Sequence, residues 1–142
     1  MELHDEVTID APAATVWTLT VDIEGWPKVT PTVASVSRLD DAPLDAGSRA
    51  RVKQPRQPPA VWVVTRFEPE TLFEWSAQSL GMAMVATHRI VPLDERRCRN
   101  LLTLTVNGPT AALFGRLLKP HIAKVLATEN ASFKRAAESA AP

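Results

Sequence analysis

A single cysteine, Cys98, is all the thiol this chain contains, so it can form no internal disulfide and no cysteine-based metal site. That economy suits a reducing cytoplasm, and a cytoplasmic location is expected. Excess charge is missing too: 16 lysines and arginines cancel 16 aspartates and glutamates. No global field then draws the molecule to nucleic acid or to an anionic membrane, and neither is expected as a partner. No apolar run approaches membrane-spanning length, and the polar opening Met1-Glu2-Leu3-His4-Asp5-Glu6 is unlike a signal peptide, so no membrane insertion is expected. Also absent are a nucleophile elbow, a phosphate-cradling glycine loop, a dinucleotide fingerprint and an HExxH pair. Hydrolase, kinase, dehydrogenase and zinc-protease readings lose their usual footholds, and the residues call for no metal and no cofactor.

What remains is a chain with 45% hydrophobic residues, enough for one core, and its 142 residues are expected to form a single domain. Its one long periodic stretch runs from Thr110 to Ala141. At about 100° per residue, Phe114, Leu118, Ile122, Val125, Ser132 and Ala136 share a direction, flanked by Leu117, Leu126 and Phe133, while Arg116, Lys119, Lys134 and Arg135 face away. Asn107-Gly108-Pro109-Thr110 supplies a helix start, and Pro120 predicts a kink near Arg116 to Lys119. Through Glu138 such a helix is about 43 Å long at 1.5 Å per residue. It is a spine that the rest of the chain must wrap.

The preceding residues alternate. Leu3 to Asp10 reads as a strand, Ala13 to Val21 as a short helix, and Asp22 to Pro27 as a break with room for another helical turn. Six further strands follow: Val33 to Leu39, Ser48 to Gln54, Ala60 to Glu68, Leu72 to Gln78, Met82 to Val91 and Arg97 to Asn107. Short connections rich in proline, glycine and aspartate separate them and suit hairpins. The order predicts an α+β fold, an antiparallel sheet curled round a helix.

The run Ala11-Pro12 to Val16-Trp17, the segment Asp22 to Trp26-Pro27, Gly47-Ser48-Arg49, Trp62 to Pro69, Phe73-Glu74-Trp75 and the closing helix together resemble the SRPBCC (START-like, helix-grip) superfamily. Within it the likeness is to bacterial polyketide cyclase/dehydrase-like members, and it covers nearly the whole chain. The resemblance implies a curved seven-stranded sheet gripping the last helix, with a ligand cavity between them. It implies no shared catalytic signature, because the superfamily includes cyclases, carriers and chaperone cofactors.

Pairing the strands through their turns assigns side chains to faces. A turn at Ser79-Leu80 sets Trp75 opposite Met84 and Phe73 opposite Ala86; the next hairpin sets His88 opposite Asn100; a Pro69-Glu70 turn sets Arg66 beside Phe73. One face then holds Ala50, Val52, Trp62, Val64, Phe73, Trp75, Met84, Leu102, Leu104 and Val106. Beneath Leu118, Ile122 and Val125 of the helix, these residues form either a solid core or an adaptable apolar cavity. Matching the rise of helix and strand brings Glu129 to the end of the sheet with Arg66, His88 and Asn100. Those four polar groups are expected to converge, as a polar rim or ion pair, or as groups directed at a ligand, with His88 and Asn100 the candidates for catalysis. His121 lies toward the opposite end, either at an entrance or on the surface.

Three functions fit: a binder of an apolar or aromatic small molecule, lipid- or polyketide-like; a cyclase or dehydratase in which His88, assisted by Asn100, Arg66 or Glu129, moves a proton; and an interaction module using the outer sheet face. The binder is preferred, since a single histidine is aimed at the pocket and the outer face alternates in charge. The oligomeric state is not legible here.

Overall fold

The computed structural model describes residues 1–140. Its elements are β1 (Glu2–Ile9), α1 (Ala13–Val21), a 3-10 turn (Ile23–Gly25), α2 (Trp26–Val29), β2 (Ser35–Arg38), β3 (Arg49–Lys53), β4 (Ala60–Glu68), β5 (Leu72–Ser79), β6 (Met82–Pro92), β7 (Cys98–Asn107) and α3 (Pro109–Ala140). The seven strands form one antiparallel sheet in the order β1-β7-β6-β5-β4-β3-β2, with α3 packed across it. This is the α+β helix-grip arrangement. The helix expected to end at Ala141 reaches Ala140, and Ala141 lies outside the described residues. The helix is unbroken through Pro120.

Two of the hairpin pairings differ from expectation by two residues: Trp75 lies opposite Ala86 and Phe73 opposite His88 in one, and His88 opposite Leu102 in the other. For the β5–β6 hairpin the cause is the turn, which is Leu80-Gly81. Both residues have positive φ, 55° and 73°, as a two-residue hairpin turn with the twist of its strands requires. A shift of two preserves the face of every side chain, so the inner surface survives it. The β4–β5 pair is different. Val64 faces Trp75 as expected, but a bulge follows, and beyond it Arg66 lies opposite Glu74 and Phe67 opposite Phe73. One extra residue reverses the faces, so Phe67 turns inward and Arg66 outward.

The main core joins Trp26, Val36, Ala50, Val52, Trp62, Val64, Phe73 and Trp75 to Phe133 of α3. A second cluster, of Ile9, Ala11, Val16, Ile90, Cys98 and Ala137, fastens the far end of α3 to β1 and α1. The inward stripe of α3 is Leu126, Glu129, Asn130, Phe133 and Ala137. The first half of the helix differs from the expected stripe: Phe114 and Leu117 are exposed, while Leu118, Ile122 and Val125 are half-buried.

Candidate functional site

Trp26 organises the inner face of the sheet. It enters from α2, where its indole N–H reaches the carbonyls of Leu19 and Thr20 at 3.2 Å each, and its ring packs 5.3 Å from Trp75, 5.8 Å from Phe133 and 5.2 Å from His88. Next to this cluster lies a chamber of about 90 Å³ walled by Trp26, Val33, Val52, Trp62, Trp75, Met84, Ala86, Leu102, Leu104, Val125 and Leu126. His88 and Glu129 are its buried polar groups. A vestibule of about 290 Å³ adjoins it, sharing Gln54, Met84, Leu104, Val125 and Leu126, and is bounded outward by Leu80, Leu118, His121, Ile122 and the 54–57 loop.

His88 Nε2 and Glu129 Oε1 stand 3.9 Å apart, too far for a hydrogen bond. Burial lowers the imidazole pKa from 6.5 to about 4, so His88 is neutral near pH 7. Burial raises that of Glu129 to about 7, against a hydroxyl hydrogen bond from Thr32 that favours the carboxylate. The pair is therefore no salt bridge at mildly acidic pH, despite its proximity. Thr32 donates to Glu129 Oε2 at 3.2 Å and lies 2.9 Å, hydroxyl to hydroxyl, from Thr30. His88 Nδ1 is buried without a partner in the protein. A buried polar atom left open costs about 1–3 kcal/mol, so a ligand or water supplying that bond is favoured.

The four expected polar groups do not all meet. His88 and Glu129 do. Arg66 is on the outer face, paired with Glu68 at 2.8 Å, because the bulge intervenes; its place as a ligand-binding residue is withdrawn. Asn100 is inward but not in the chamber wall. Its Nδ2 donates to Asn130 Oδ1 at 2.9 Å, and Asn130 Nδ2 donates to the Asn100 carbonyl and to the Asp5 carbonyl and carboxylate. Asn100 is thus held in a clasp between α3, β7 and β1, outside the chamber wall, with its own Oδ1 buried and without a partner in the protein. Val64 and Phe73 lie in the packed core behind the chamber rather than along it. Val52, Trp62, Trp75, Met84, Leu102, Leu104 and Val125 line the chamber, and Leu118 and Ile122 line the vestibule.

Trp26, Thr32 and Asn130 escaped sequence reasoning. Trp26 sits on a one-turn helix with no periodicity to orient it, though Trp26-Pro27 marks the turn. Asn130 had a signal, since two consecutive polar residues, Glu129 and Asn130, stand on the buried side of an apolar helix. Cys98 is buried and its thiol pKa is raised by that burial, which removes it as a nucleophile. Among the described residues, no three His, Cys, Asp or Glu side chains stand together as a metal site would need.

Comparison with solved structures places this geometry. TTHA0849 from Thermus thermophilus superposes with a TM-score of 0.80 over 100% of both chains at 19% identity. Zhui aromatase/cyclase from a Streptomyces species gives 0.71 at 16% identity over 100% of this chain and 99% of its own. Norcoclaurine synthase from Thalictrum flavum, in complex with dopamine and hydroxybenzaldehyde, gives 0.78 at 15% identity over 100% and 88%. At such identities the likeness is one of fold. No curated protein matches the sequence. The profile described as polyketide cyclase / dehydrase and lipid transport matches residues 1–138, nearly the full length, and the chain belongs to that family.

Proposed function

We propose that this protein binds a small, largely aromatic or apolar molecule bearing a hydroxyl or carbonyl oxygen. The oxygen sits between His88 and Glu129, and the body of the molecule extends toward the vestibule. One observation carries this reading: an apolar chamber with two buried polar groups 3.9 Å apart that do not bond to each other. Size narrows the ligand. The chamber's 90 Å³ is smaller than the roughly 150 Å³ of a cavity that binds benzene, too little for a substituted ring. Only the oxygen-bearing end fits there, and the bulk must occupy the vestibule of about 290 Å³.

A specific observation favours a second reading, a polyketide cyclase or dehydratase type of reaction. Glu129, with its pKa raised to about 7, is matched to general acid work near neutral pH, and it lies beside an imidazole held neutral. In such a reaction Glu129 protonates the hydroxyl that departs as water while His88 takes the proton from the neighbouring carbon, so that a C=C bond forms as the C–O and C–H bonds break. Native mass spectrometry of freshly purified protein, followed by quenching of tryptophan emission with an oxygen-bearing aromatic probe, tests the binding reading. Failure to bind any such probe overturns it. Incubation with a polycarbonyl compound separates the two readings: a binder returns it unchanged, and an enzyme returns a product lighter by water.

A further inference from the structure

The sheet and helix have two ends of opposite character. Strands β1, β4 and β6 start, and β3, β5 and β7 finish, at the vestibule end, where α3 begins. The loops at the other end carry Asp40, Asp41, Asp45, Glu70, Asp94 and Glu95, and there Arg38, Arg66 and Arg97 each pair with a neighbouring carboxylate, while Arg96, beside these acidic residues, is in no ion pair among the described residues. The vestibule end carries Arg56 in the 54–57 loop and Arg116, Lys119 and Lys124 on α3, none of them in an ion pair among the described residues. No carboxylate occurs between Gly108 and Thr128. Glu2, at the start of β1, is the exception to the basic character of this end. The net charge of zero therefore conceals a separation of charge along the molecule.

The same end exposes large apolar side chains. Leu113 is 77% exposed, Leu117 78%, Phe114 49% and Leu80 58%. By the helical repeat, Leu113, Leu117 and Pro120 form a ridge roughly opposite Ile122, the side chain facing the vestibule. Leu80 joins them because Thr110, at the start of α3, donates its hydroxyl to the Leu80 carbonyl at 2.5 Å and its amide to that of Gly81 at 3.3 Å. Protruding leucines and a phenylalanine beside cations outside any ion pair, on the helix whose other side borders the vestibule, form an amphipathic interfacial surface.

We propose that this end docks peripherally on an anionic lipid bilayer, with Leu80, Leu113, Phe114 and Leu117 entering the headgroup layer and Arg116, Lys119 and Lys124 meeting lipid phosphates. Charge complementarity selects this occupant. A two-fold contact with a second copy sets the same patch against itself, and would face these cations with like charge. Docking of this kind requires no spanning segment, and no described helix is long and apolar enough to cross a membrane. It sets the end of the molecule that holds the vestibule beside the phase in which an apolar ligand is most soluble.

Flotation with vesicles tests the proposal without any cavity ligand, so it stands or falls separately from the binding reading. The intact protein is expected to float with phosphatidylcholine vesicles containing about 30% phosphatidylglycerol, and far less with phosphatidylcholine alone. Binding should be lost in about 0.5 M salt, where the screening length is about 4 Å. Replacing Arg116 and Lys119 together by glutamine should weaken binding about twentyfold, at roughly fivefold per charge. Leu113→Ser with Leu117→Ser should weaken it roughly tenfold or more, and since all four side chains are exposed, thermal unfolding should not change. Failure to float at low salt, or flotation indifferent to both double variants, overturns the proposal. So does a dimer in sedimentation that Leu117→Ser dissolves, because a second copy would then occupy the face.

Discussion

Glu129→Gln gives the sharpest test of the buried pair, because the two groups titrate in opposite senses. The stability contributed by His88 is fully present above its unfolded pKa of 6.5 and is lost as pH falls through about 4. That contributed by Glu129 is fully present below 4.5 and is lost as pH rises through about 7. Each slope is about 1.4 kcal/mol per pH unit, and from 4.5 to 6.5 they cancel. The wild-type protein should therefore show no net pH dependence from this pair across that window. Glutamine still accepts the Thr32 hydrogen bond but does not titrate, so Glu129→Gln should become more stable than wild type by about 3 kcal/mol, relative to their difference at the acid end, as pH rises across the window. His88→Asn should move by a similar amount in the other direction. For a domain of this size that is a swing of roughly 10 °C in melting temperature. Urea unfolding of the three proteins at half-unit pH steps measures it, and the other carboxylates drop out of the differences. Curves for both variants that run parallel to wild type would refute the buried, oppositely shifted pair.

Phe133→Ala removes a fully buried ring that packs on Trp26 and His88, and should cost about 3–5 kcal/mol in chemical denaturation. Asn130→Ala strands Asn100 and should destabilise by about 1–3 kcal/mol, with tryptophan quenching by the aromatic probe unchanged; a loss of probe affinity at unchanged stability would instead return Asn100 to the binding site. Met84 borders both chamber and vestibule, so Met84→Trp should abolish probe quenching while the protein still unfolds cooperatively. Gly108 has a φ of 106° and a Cβ there would lie 2.6 Å from the Gly81 carbonyl, so Gly108→Ala should destabilise by more than the ~1 kcal/mol of an ordinary glycine replacement, measured by thermal melting.

The fold was legible because its signals are periodic. Alternation in β3 to β7 and the apolar stripe ending in Phe133 identify sheet and helix without any distance information. The Leu80-Gly81 turn was located one residue out, which shifts the pairing by two, an error that period two forgives, so Trp62, Trp75 and Met84 kept their faces. Arg66 lost its face because a bulge leaves no mark in alternation. His88 and Glu129 were brought together by counting rise along strand and helix, which is robust to small slips. Trp26 and Thr32 come from the irregular stretch between α1 and β2, where no repeat connects residue to direction. The exposed Phe114 was placed in a buried stripe and the exposed Leu117 on its flank, because a helical wheel shows which side chains share a direction and not where the helix leaves the sheet.

The bulge after Val64 acts as a frameshift for side chains. Upstream, odd and even positions have one assignment to inside and outside; downstream they have the other, with Phe67 against Trp17 and Phe73 at ring separations of 5.3 and 6.4 Å. Removing Thr65 would restore regular alternation and leave Arg66 outward opposite Glu74 and Phe67 inward opposite Phe73. Elsewhere in the strand, inserting or deleting two residues leaves this parity intact and one residue does not. Length variation within β4 away from the bulge is thus constrained less by how many residues change than by whether that number is odd.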